Sequence, residues 1–272
     1  MKRVFLLLIV CLSISMNAQE IKFYGEAAQG GIVIGKGEKL VSATLNNTKL
    51  QIDKNGVFLF GFDRNATGKY LLKVRFKNKK TEIYEYIIEK KEYEKQHLRL
   101  ASKYVTPPKK LERRIRHEAQ LMKSARAKVG KVKDALFMEG FVYPVDSVDI
   151  RSTFGLQRIL NGKPSNVHNG LDFGGVEGDS IRAITDGIVR IAGKNFFYNG
   201  NFILLDHGQG LTSVYLHMSK ILVTDNPKVK KGSAIGLIGE TGRATGPHLH
   251  LGVQWYKKRI DPMSLLEMRL EK

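Results

Sequence analysis

Gly246-Pro247-His248-Leu249-His250-Leu251-Gly252 places two imidazoles two residues apart between apolar neighbours. In an extended strand, side chains at i and i+2 project from one face. His248 and His250 then share one space, while Leu249, Leu251 and Val253 turn the other way into a core. Two surface histidines on an edge strand would give the same local pattern. A second cluster, His168-Asn169-Gly170-Leu171-Asp172, argues against that reading. His168 and Asp172 are an even number of residues apart, so an extended backbone puts both on one face. Two neutral nitrogens and one carboxylate oxygen make a three-ligand set for zinc, with the fourth position left for water. That is the donor set of a catalytic site.

The composition bounds what such a site can serve. The chain has 272 residues, enough for one large domain or two ordinary ones, and its 42% hydrophobic content can build real cores. Lys and Arg number 45 against 26 Asp and Glu, a formal net charge of +19. Such a field favours nucleic acid, anionic lipid or an anionic wall polymer. The N-terminus narrows the choice. Met1-Lys2-Arg3 is basic, residues 4–14 are apolar, and small Ala18 suits a cleavage, so residues 1–18 read as a secretory signal peptide. The run is short for a membrane span, although an uncleaved anchor is the alternative. Cys11 follows Val10 rather than a small residue, which does not suit a lipoprotein. Cleavage after Ala18 leaves no cysteine, so the metal ligands must be His and carboxylate. An exported, periplasmic chain has no use for nucleic acid as a partner; weak association with anionic envelope surfaces fits better. The oligomeric state is not legible.

Residues 19–100 read as a β-sandwich of immunoglobulin-like size. Strands are expected at 31–34, 40–45, 57–60, 70–76 and 82–88, with Asp53-Lys54-Asn55-Gly56 as a tight hairpin turn. This region carries no cluster of catalytic residue types, and its expected role is binding, spacing or shielding, with part of residues 19–140 near the groove. Residues 101–140 form a basic helical linker. From Pro107-Pro108 to about Val132, Leu111, Ile115, Met122, Ala125 and Val129 fall at helical spacing, a narrow stripe for docking on a neighbour. His117-Glu118-Ala119-Gln120-Leu121 begins like a His-Glu-x-x-His zinc motif, but Leu121 stands where the second ligand belongs. His97 and His117 are therefore read as solvated. Residues 141–272 are Gly-rich and again strand-like, with Asp186-Gly187 as a second hairpin signal. The loop 239–246 looks like a phosphate cradle but lacks its Gly-Lys-Ser/Thr ending.

Zinc polarises a carbonyl, yet amide hydrolysis still needs a proton acceptor. No Glu adjoins the proposed ligands, so histidine is the candidate. His248 shares the strand face of His250, and His217, at the end of another strand, can supply the second imidazole. His207 sits in a turn and is read as structural.

At this level the chain resembles the lysostaphin-type (LytM-like) zinc endopeptidases of bacterial cell walls. The resemblance rests on Ser152-Thr153-Phe154-Gly155 with Arg158, His168-x-x-x-Asp172-Phe173, Asp186-Gly187, Asp206-His207-Gly208, Tyr215-Leu216-His217, Gly239-Glu240-Thr241-Gly242 and Gly246-Pro247-His248-Leu249-His250. It implies a mainly β protein whose residues 141–272 form an antiparallel β-sheet peptidase domain with a groove. His168, Asp172 and His250 would bind Zn2+, and His217 and His248 would be catalytic, His248 as base and His217 at the oxyanion. It also implies peptidoglycan cross-links as substrate, D-Ala to meso-diaminopimelate being the expected bond. A catalytically silent wall-binding regulator of other hydrolases is the opposing reading; all five positions being filled favours a working enzyme.

Overall fold

Two runs in the N-terminal half, Ile32-Val33-Ile34 and Val57 to Phe62, stay apolar without alternation, and burial explains why. A computed structural model describes residues 21–99 and 107–271. The expected signal peptide, and residues 101–106 of the expected linker, lie outside the described residues. The N-terminal strands are β1 (Lys22–Gly25), β2 (Ile32–Lys36), β3 (Leu40–Leu45), β4 (Thr48–Lys49), β5 (Val57–Gly61), β6 (Gly68–Phe76) and β7 (Thr81–Ile88). They form two antiparallel sheets, β1-β2-β5 and β4-β3-β6-β7, the expected sandwich. Rings close it from both sides: Phe23 meets Tyr84 at 4.9 Å and Phe60 meets Tyr86 at 5.5 Å. Phe60 is fully buried, worth about 1.5–3 kcal/mol, and the other three rings are half-buried against the core.

The outer sheet alternates buried and exposed positions along β6, as a sheet with one wet face must. Every residue of β5 is buried, because the inner sheet is covered on its second face too. There Gln209 Nε2 donates to Val57 O at 2.8 Å, Lys258 Nζ to Gly61 O at 2.9 Å, and Asp261 N to Gly30 O at 2.8 Å. A Cβ on Gly61 would stand 2.7 Å from Ile260 Cδ1, so the two halves meet at backbone distance.

The remaining elements are β8 (Lys95–Leu98), α1 (Glu112–Arg126), β9 (Ile150–Ser152), β10 (Gln157–Leu160), β11 (Lys163–Val167), β12 (Leu171–Gly174) and β13 (Ser180–Arg182). They continue with β14 (Gly187–Phe196), β15 (Gly200–Asp206), β16 (Leu211–Met218), β17 (Lys220–Ile221), β18 (Lys228–Val229) and β19 (Ala234–Leu237). The chain closes with β20 (His248–Trp255), β21 (Lys258–Ile260) and the short α2 (Met263–Leu266). The main antiparallel sheet runs β18-β14-β15-β16-β20-β12-β9, with β21 also on β20. Leu249, Leu251 and Val253 are fully buried on its core face, as the alternation of β20 predicts. On the other face α1 buries Ala125, with Met122, against Phe196, Phe202, Leu204 and Val214. The helix is thus a docked connector. It stops at Arg126, short of the expected Val132, and the chain turns through Gly130 at φ 83°.

Both hairpin signals were misleading. Asp53 Oδ1 does accept from the backbone N–H of Asn55 and Val57, at 2.8 and 2.9 Å, but the strands on either side belong to different sheets. Likewise β13 pairs with β19 and β14 with β15, so Asp186-Gly187 joins two sheets. Such turn residues fix a local bend; strand pairing is decided by what each strand can bury.

Candidate metal centre and active-site groove

Three neighbouring strands build the site. In the β12–β20 ladder Asp172 stands directly opposite His250, and in the β16–β20 ladder Leu216 stands opposite the same His250. His168 enters from the loop before β12. Its Nε2 lies 3.0 Å from Asp172 Oδ1 and 3.1 Å from His250 Nδ1, and His250 Nδ1 lies 2.6 Å from Asp172 Oδ1. Three lone-pair atoms therefore converge on one point, and these three residues form a cluster able to hold a metal ion. Tetrahedral zinc with bonds near 2.0–2.1 Å sets its ligand atoms about 3.3 Å apart, so the present spacing needs only small outward shifts.

The surroundings fix the ligands. His168 donates its Nδ1–H to Thr153 O at 2.7 Å, with Ser152 Oγ at 3.0 Å, which leaves Nε2 bare to ligate. A Cβ on Gly170 would sit 2.6 Å from His250 Nε2, so only glycine fits between the two ligands of that loop. Burial alone would raise the Asp172 carboxyl, but the imidazoles of His250 and His168 hold it well below the usual carboxylate range. Arg158 Nη2 takes the other carboxylate oxygen, at 3.2 Å.

His217 and His248 stand beside this cluster, their ring centres 4.8 Å apart, and His217 is 6.3 Å from the His250 ring. Strict alternation along β16 would send His217 to the core side with Tyr215. It does not go there. The β15–β16 register slips next to it, and its φ is +68°, so a bulge turns the ring to the groove. Thr241 O receives the His217 Nδ1–H at 2.8 Å, and Gly246 O receives that of His248 at 2.8 Å. Each neutral ring thus offers its Nε2 lone pair. Burial, with the neighbouring rings of His248 and His250, pushes His217 down to about 3. In that neutral state the His217 Nδ1–H is spent on Thr241 O and Nε2 can only accept, so the expectation that it donates to an oxyanion requires Nε2 first to gain a proton.

All five expected residues meet in one groove region, and four of them line the cleft itself, His168 being buried behind it. The cleft is also lined by Gln96, Arg151 and Arg243, which sequence reading did not single out. Gln96 comes from β8, which pairs in parallel with β10, so the N-terminal half supplies part of the wall. Lys95-Gln96-His97-Leu98 has no apolar alternation to betray a strand. Arg243 lies in the loop whose Thr241 orients His217. His97 and His117 are exposed, and neither lines the groove.

His207 is fully buried in a different network: Nδ1 donates to Asp186 O at 2.7 Å, and Ser213 Oγ lies 2.7 Å from Nε2 and 3.1 Å from the Tyr215 hydroxyl. His207→Ala is expected to cost about 2–4 kcal/mol through a cavity and unpaired polar groups. Thermal unfolding would show the loss, while zinc content and turnover per folded molecule stay at wild-type values.

The description Peptidase family M23 matches residues 166–262. Peptidoglycan DD-endopeptidase ShyA of Vibrio cholerae is 44% identical over 110 residues, 40% of this chain and 25% of that protein. The chain thus spans about a quarter of that curated relative. A crystal structure from Pseudomonas aeruginosa assigned to peptidase M23 superposes with a TM-score of 0.63 at 25% identity, covering 89% of this chain and 95% of that one. The catalytic domain of lysostaphin from Staphylococcus simulans is 29% identical over 49% of this chain and 98% of its own, with a TM-score of 0.39. The matched stretch includes Asp172, His217, His248 and His250. Residues 166–262 thus resemble a peptidase family M23 domain.

Proposed function

We propose that the chain is a zinc-dependent endopeptidase that hydrolyses peptide cross-links of peptidoglycan, with the D-Ala to meso-diaminopimelate bond as target, after export to the periplasm. One observation carries the reading: His168, Asp172 and His250 aim three lone-pair atoms at one point, with two more oriented imidazoles alongside. Bound at that point, zinc would polarise the scissile carbonyl and lower the pKa of a bound water to about 7. His217 and His248 present acceptor nitrogens to the groove, so one of them takes the proton of the attacking water. The imidazole that has taken it then holds the proton required at the leaving amine. Backbone carbonyls on both Nδ1 atoms keep the rings in that orientation throughout. The name of the Vibrio cholerae relative, a DD-endopeptidase, supports the choice of bond.

Digestion of purified sacculi tests this directly. Zinc-loaded protein should release cross-linked peptides as monomers whose masses show cleavage at D-Ala to meso-diaminopimelate. Intact sacculi after treatment with fully metallated protein would favour a silent wall-binding regulator.

A further inference from the structure

The groove is short of negative charge. Arg151, Arg158 and Arg243 line it, against the single carboxylate of Asp172. Asp172 is already engaged by both ligand imidazoles and, through Oδ2, by Arg158 Nη2. Arg151 has its own carboxylate, Asp149, at 3.0 Å on the surface. Arg243 forms no ion pair among the described residues; its guanidinium carbon lies 4.9 Å from the centre of the Tyr198 ring, and its backbone N–H donates to Tyr198 O at 2.9 Å. Arg158 is likewise incomplete, because its Nε is buried without a hydrogen-bond partner. A buried N–H normally finds an acceptor. Both guanidinium groups are anchored and line one cleft, and the planar guanidinium fork matches a carboxylate.

We propose that Arg158 and Arg243 form a carboxylate-binding subsite that selects substrates bearing a free carboxylate on the residue flanking the scissile amide, an inference that rests on the endopeptidase reading above. Position supports it. Arg158 touches the ligand Asp172, and Arg243 lies two residues beyond Thr241, whose carbonyl orients His217. A carboxylate held there lies next to both the metal ligands and the acid–base pair, so it registers the neighbouring amide over them. Arg158 also steadies Asp172, which leaves Arg243 as the residue to change.

The test uses full-length, zinc-loaded protein and two synthetic cross-linked peptides. They differ only in carrying a carboxylate or a carboxamide on the residue flanking the amide to be cut. Wild-type protein should favour the carboxylate peptide by about ten- to hundredfold in kcat/KM, mainly through KM, as expected for hydrogen bonds to a charged group. Arg243→Gln should remove the preference by weakening only the carboxylate peptide, and Arg243→Lys should retain part of it, with zinc content unchanged in both. Equal use of the two peptides by wild-type protein, or an undiminished preference in Arg243→Gln, overturns the subsite. Binding of the same peptides is measured by fluorescence anisotropy. If neither peptide is cut yet the carboxylate form binds tighter, the hydrolase reading fails and the subsite stands. Equal binding overturns the subsite whatever the cleavage result.

Discussion

Replacing His250 by Ala is expected to strip the protein of zinc and to lower cleavage of peptidoglycan by about three orders of magnitude or more. Lewis-acid stabilisation is worth several kcal/mol, and about 1.4 kcal/mol corresponds to each factor of ten in rate. His250 Nδ1 lies 2.6 Å from Asp172 Oδ1 and 3.1 Å from His168 Nε2, so its loss leaves only two of the three donors at the point where they converge. His168→Ala and Asp172→Ala should behave alike. Asp172→Ala has an additional consequence, because it leaves Arg158 without its carboxylate. Metal content per folded molecule, read beside the release of labelled fragments, checks this after circular dichroism confirms the fold. A metal-free His250→Ala protein that still cleaves would remove the zinc mechanism altogether.

His217→Ala and His248→Ala should divide metal from turnover. Three ligands remain in each, so zinc stays bound, while the rate falls by about 10²–10⁴-fold for the lost acid–base function. The effect should appear in kcat, because neither ring is needed to hold the metal. Burial keeps His217 neutral down to about 3. A fall in activity on mild acidification, between about pH 7 and 5, is therefore expected to come from a group other than His217. Normal turnover in His248→Ala would leave the centre intact but take the base away from that residue.

The parts of this arrangement that sequence reveals are those governed by local periodicity. On β20 the two-residue repeat is unbroken, so His248 and His250 separate cleanly from Leu249, Leu251 and Val253. His217 was the opposite case. Its own strand repeat points it at the core, and only a bulge with a left-handed residue brings it round, so its strand-end position made it a candidate but only the family resemblance placed it beside the other two segments. Gln96 and Arg243 carried no signal, since β8 is held by backbone pairing at a polar rim and Arg243 sits in an irregular loop. Asn55-Gly56 and Asp186-Gly187 announced bends correctly and partners wrongly, because which sheet a strand joins depends on residues far along the chain.

The inner sheet with no wet face has a consequence for how the protein can be taken apart. Its strands pack on the outer sheet on one side and lie against residues 209 and 258–261 on the other, within one continuous apolar cluster that reaches both halves. A fragment beginning near Phe141 loses both acceptors of Gln209 Nε2, Val57 O and Lys133 O, and uncovers Ile260, which is fully buried in the intact chain. Dissection by truncation therefore removes a foundation together with any regulator. Point changes at the seam, such as at Lys258, can loosen one half from the other while leaving each covered, and they are the cleaner instrument for asking what the N-terminal half contributes.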